Sequence, residues 1–343
     1  MIKDPIKANQ YVTVLKLSEK FKSLADLDKL PPKISEPIHI RKDIKIKQKI
    51  DFKSMEYRTL YTWEKDLENY KLNINSDHVI RFVVWDAIIE HRNRNIYTSD
   101  NNGLLPRSER ITKYNPIPVL FYEKSGCLYC AIVNSNDSLT DRVKSLIGKN
   151  NIDISSNPLS TNKNIIEWLF WRYMTDKKTI NTTNEISDSS NNISSNNISI
   201  DEIFGFEGNV LKGDPNDILK GRSPQVSSLD ITKAVLCLNS SLTSAKISLN
   251  YLGSDITFLY AVNGTISIDS KNTYINKSVC DYKSGEEQLH SCQVLIYLCS
   301  IVIPHLISIF NDNSQEFSQE FIDFKQELAI ELIKKIIKLN NLK

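Results

Sequence analysis

Asp255, Asp269 and Lys271 are the residues whose types and spacing come nearest to a catalytic set in this sequence. Two converging carboxylates hold Mg²⁺, an ion that takes oxygen ligands, and a nearby ammonium group helps to activate the attacking water. Cys127-Leu128-Tyr129-Cys130 is the other suggestive spacing. A zinc site needs four ligands, and no second CxxC or paired histidine motif supplies the rest. A redox pair belongs at a helix N-terminus, whereas these two cysteines fall in a strand-like run that sends them to opposite faces. The six cysteines, at 127, 130, 237, 280, 292 and 299, are expected to be buried reduced thiols. The five histidines are scattered, and GxSxG, GxxxxGK[ST] and GxGxxG are absent. Hydrolase, ATP-hydrolysing and nicotinamide chemistry are therefore disfavoured.

The Asp255 and Asp269-Ser270-Lys271 arrangement resembles the D…(D/E)xK pattern of restriction-type nucleases, which implies Mg²⁺ as the cofactor. Register counts against it. With Gly253-Ser254 and Asn263-Gly264 as two-residue hairpin turns, Leu249 pairs with Phe258 and Leu259 with Ile268. One face of the meander then carries Ile247, Leu249, Tyr251, Ile256, Phe258 and Tyr260, and the other carries Leu259, Ala261, Ile266 and Ile268. On this count the middle strand is covered on both faces, and Asp255 faces away from Asp269 and Lys271. Apart from Mg²⁺ in the nuclease alternative, no cofactor is expected.

Basic groups form the second class of candidates. The chain carries 43 Lys plus Arg against 41 Asp plus Glu, a net charge of +2. Residues 1–60 hold a local surplus of cations that attracts polyanions. In Arg41–Lys53, Lys45, Lys47 and Lys49 alternate with isoleucines, so on a strand they line one face. Arg92 and Arg94 lie with His91 in the polar stretch Glu90-His91-Arg92-Asn93-Arg94, an expected hairpin tip that could touch phosphate. Lys212, Lys220 and Arg222 sit in a Gly-punctuated loop, Gly205 to Pro224, whose backbone amides suit phosphate.

These residues need elements to place them. Strands are expected at Tyr11–Leu17, Ile38–Phe52 and Val79–Ile89, with a hairpin of IPVLFYE and CLYCAIVN about Lys124-Ser125-Gly126. Helices are expected at Asp137–Ile147 and Asn162–Met174. Asn181–Ser199 is almost wholly Asn, Ser and Thr, and such a segment buries too little apolar area to order itself. It divides the chain into a mixed α+β domain at 1–175, a flexible linker at 176–200, and a C-terminal domain at 201–343, an antiparallel meander covered by two long helices. The first of these helices opens with the capping-box spacing Ser284 to Glu287 and is kinked at Pro304. The second carries the stripe Phe317, Phe321, Phe324, Leu328. Val294–Phe310 lacks acidic and basic residues, but its flanks carry no cluster of cations, so a buried helix is expected and no membrane span. The N-terminus has no apolar leader, and a cytoplasmic location is expected.

The fold class is thus α+β with two lobes. The leading functional expectation is a non-catalytic nucleic-acid-binding protein, with other subunits as partners in a bacterial phage-defence complex. A Mg²⁺-dependent nuclease is the alternative, and a protein–protein scaffold is the third.

Overall fold

A computed structural model describes residues 6, 10–47, 49–66, 68–74, 78–100, 103–114, 116–154, 157–180, 197–209, 218–238, 241–276, 280–281 and 289–341. The chain divides into two compact units, one formed by residues 12–72 and 79–157, the other by 1–11, 73–78 and 158–343. Both are α+β. The helix at 164–174 falls in the second unit, and Ile198, Ser199 and Ile200 belong to a strand. Residues 181–196, the bulk of the expected linker, lie outside the described residues.

In the first unit, six antiparallel strands lie in the spatial order β1 (Tyr11–Lys16), β6 (Cys127–Val133), β5 (Ile117–Lys124), β4 (His78–Arg92), β3 (Arg58–Lys65), β2 (Lys33–Pro37). The expected hairpin forms as read. Lys124 pairs with Cys127, and Ser125 and Gly126 take φ of 50° and 70°, the two left-handed residues of a type I′ turn. The helix Asp137–Ile147 starts where Asn136 accepts the amide of Leu139 and buries Val143, Leu146 and Ile147 against the sheet's core.

The expected strand at Ile38–Phe52 does not form. Lys42–Lys47 is a short helix, α1, in which Ile44 is buried together with Ile38, Ile40, Ile96 and Ile111.

The second unit holds the meander. Its strands run β8 (Ile218–Arg222), β7 (Ile198–Asn209), β9 (Ser241–Tyr251), β10 (Ser254–Ala261), β11 (Ile266–Ile268), all antiparallel. Gly205 and Gly208 therefore lie within a strand instead of the expected loop. Tyr251 pairs with Ser254, so the first turn is Leu252-Gly253, at φ of 52° and 73°, and Leu249 faces Ile256. This differs from the expected register by two residues, which leaves the faces unchanged. The second turn differs by one. Phe258 pairs with Ile268 and Ala261 bonds Thr265 across three loop residues, 262 to 264. A one-residue difference exchanges faces. Ile266 and Ile268 consequently join Ile247, Leu249, Ile256, Phe258 and Tyr260 on the buried face.

Two helices cover that face. In α2 (Asn164–Met174), Trp168 meets Phe310, Trp171 meets Phe317 and Phe170 meets Phe206, all at 5.6–5.9 Å between rings. The expected pair of C-terminal helices is one helical run, α3 (His290–Leu339), with a π-helical stretch at Leu298–Val302 ahead of Pro304. Proline lacks the amide that an α-turn would use, and the wider turn accommodates that break without ending the helix. Ser284 and Glu287 lie outside the described residues. Among the described residues α3 alone is long and apolar enough to cross a membrane, and 72% of its most apolar stretch is buried in the protein.

Candidate functional site

The second face of the meander is recessed and polar, and register alone places its side chains. Arg222 pairs with Gly205, Gly205 with Lys246, Lys246 with Leu259 and Leu259 with Ser267. Those five positions form one row across five strands. The adjacent row reads Lys220, Glu207, Ser244, Ala261. Gly205 stands between Arg222 and Lys246 in that row, where the strands approach closely and Arg222 Cγ fills the space that a side chain would take. A Cβ there would lie 2.9 Å from the carbonyl oxygen of Gly221. With Phe204 and Tyr11 the rows enclose a cavity of about 650 Å³.

Its charges are unevenly satisfied. Lys246 Nζ lies 2.7 Å from Asp269 Oδ2, and Lys220 Nζ lies 2.8 Å from Glu207 Oε1. Arg222 is exposed and makes no ion pair among the described residues. Burial pushes the Asp269 carboxyl up, but hydrogen bonds from Lys246 and Asn272 outweigh it and hold the group below the usual carboxylate range. The hydroxyl of Ser244 is buried without a hydrogen-bond partner among the described residues. Two cations, two anions, an orphaned hydroxyl and the aromatic rings of Tyr11, Phe204 and Phe206 suit a ligand that carries both negative charge and flat apolar surface.

The expected site residues distribute as follows. Arg222 lines this cavity and Lys220 pairs with the lining residue Glu207, whereas Lys212 lies outside the described residues. Lys45, Lys47 and Lys49 do not line a strand face. Lys45 and Lys47 are helical, Lys45 Nζ sits 4.8 Å over the Phe52 ring, and Lys49 takes a left-handed φ of 46°. Arg92 donates to the carbonyl of His39 at 2.8 Å, and Arg94 is exposed. His91 stacks on Tyr114 at 3.9 Å, with its pKa lowered by burial and by Arg142.

Asp255 and Asp269 do come to one face, against expectation, because the three-residue turn supplies the extra residue. Each is already engaged. Asp255 accepts from Asn250 at 2.6 Å, Asp269 is held by Lys246, and Lys271 is exposed in the short 3₁₀ turn Ser270–Asn272. Among the described residues no group of three or more His, Cys, Asp or Glu side chains gathers as a metal site would require. Cys127 and Cys130 lie on β6 as free thiols, and burial pushes Cys130 up to about 12.

Sequence reasoning missed Lys246, Ser244, Phe204 and Tyr11. The available signal was Gly205 inside a period-two run, since a glycine in a strand marks close approach or a gap. No family model matches the chain, no curated protein matches it, and no solved structure matches it.

Proposed function

We propose that the protein binds single-stranded nucleic acid at the recessed face of the C-terminal meander, without catalysis. Arg222 carries the reading: it lines the cavity together with Lys246 and makes no ion pair among the described residues. A phosphate fits between these two groups, and the rings of Phe204 and Tyr11 offer a surface on which a base stacks. Single strands suit such a face because an unpaired base presents its flat side, whereas duplex readout needs a helix or ribbon that enters a groove. No described residue speaks for a phage-defence complex.

Fluorescence anisotropy with a labelled single-stranded oligonucleotide, across a salt series, tests the proposal. Binding is expected to weaken with salt, and Arg222→Gln should weaken it further and lower the slope of log affinity against log salt by about 1. Equal affinity of Arg222→Gln and the parent protein overturns the assignment. Mg²⁺-dependent cleavage of the oligonucleotide would replace it with the nuclease, given the shared face of Asp255 and Asp269. Absence of binding at low salt would favour a protein–protein role.

A further inference from the structure

The distal end of α3 carries apolar side chains that the core does not use. Ile322, Ile330, Ile333 and Ile337 are 41–56% exposed, whereas Phe317, Phe321, Phe324 and Leu328 on the opposite side are buried. Ile330, Ile333 and Ile337 have the three- and four-residue spacing of a coiled-coil seam.

Charges along the helix fall into two groups. Glu316 and Glu320 pair with Lys177, Glu331 with Lys233, and Lys335 with Asp230. Asp323, Glu327, Lys334 and Lys338 are exposed and have no ion pair among the described residues. At 3.6 residues per turn all four lie on one flank of the isoleucine seam. They also stand as like-charge neighbours four apart, two acids and then two bases, an arrangement that is unfavourable in a lone helix. The helix dipole does not account for the acids, since Asp323 lies about nine turns beyond His290 and the dipole acts within the end turns.

We propose that two copies of this chain associate through antiparallel pairing of the distal part of α3. Asp323 with Lys338 and Glu327 with Lys334 share one midpoint, between Ile330 and Glu331. In an antiparallel two-fold pair the same flank of each helix meets its counterpart, so each acid faces a base of the second copy. One two-fold axis thus satisfies four charges twice over while burying the isoleucine seam. A parallel two-fold pair would set this flank against the other flank of the second copy, and these acids and bases would not meet. A partner of different sequence would not need the midpoint symmetry.

Sedimentation equilibrium of the full chain reads the outcome directly. A dimer is expected, with a dissociation constant that rises with salt because the charge pairs lie at a solvated rim. Glu327→Lys alone and Lys334→Glu alone should each raise that constant at least tenfold. The double variant Glu327→Lys, Lys334→Glu restores opposite charges across the axis and should return it to within threefold of the parent. All three changes are at exposed positions, and circular dichroism checks that each variant folds. A monomer at every concentration, or a dimer indifferent to the single charge reversals, overturns the proposal.

Discussion

The two faces of β10 meet different surroundings, a packed core on one side and a cavity on the other. Phe258 and Tyr260 are fully buried beneath helices, joined by Ile256, while one residue away Leu259 borders a polar cavity with Lys246, Ser267 and Asp269. The same eight-residue strand therefore serves a core and a recess. The contrast is set by a loop instead of by the strand itself. A two-residue link after Ala261 would carry Ile266 and Ile268 to the Leu259 side and fill the recess with apolar groups, whereas the three-residue link keeps it polar.

Phe258→Ala should show the largest effect, a loss of about 3 to 5 kcal/mol in urea unfolding of the full chain, since it opens a cavity in a packed face. A cost below about 1 kcal/mol would erase the contrast from the buried side. Lys246→Met should act at the recess with a smaller loss of about 1 kcal/mol at neutral pH, and its pH dependence is the sharper readout. In the parent protein Asp269 has a folded pKa below its unfolded value, so its contribution is present above about pH 4. That contribution is lost as the pH falls through the lower folded value. Without Lys246, Asn272 alone is left to oppose the upward push of burial. The parent's advantage over the variant should be full at pH 7 and shrink below about pH 4. An advantage that stays constant between pH 7 and pH 3 would show that Lys246 contributes packing only. Leu259→Ala should cost least, about 1 kcal/mol or less, because the side chain already meets solvent. An effect equal to that of Phe258→Ala would mean that both faces are core.

What was legible in the sequence follows from which signals are local. The hairpin at Ser125-Gly126 and the helix Asp137–Ile147 were readable because each has a turn or cap residue that sets its own boundary. The buried set Ile247, Leu249, Ile256, Phe258 survived a two-residue error at Leu252-Gly253, since parity alone assigns a face. The same reasoning failed at Asn263-Gly264. That dipeptide suits a two-residue turn, but burial of Ile266 and Ile268 under the first part of α3 outweighs the local preference. Lys45, Lys47 and Lys49 misled for a related reason: alternation of Ile and Lys mimics a strand, while Ile44 buries from a helical turn against residues far away in sequence, Ile96 and Ile111. Within the candidate site, Lys220 and Arg222 were found from composition. Lys246 was not, because its role depends on pairing with residues far away in sequence.

The π-helical stretch at Leu298–Val302 has a consequence for how α3 meets the sheet. Such a stretch holds one residue more than α-helical turns would, and each residue of an α-helix advances the side-chain direction by about 100°. That surplus residue acts as a phase shifter, setting the azimuth at which everything after Pro304 leaves it. Were it deleted and the helix regularised, Phe317, Phe321 and Phe324 would swing about a quarter-turn away from Trp171 and the sheet. The fit of that long apolar stripe depends on one residue of slack placed well upstream of it.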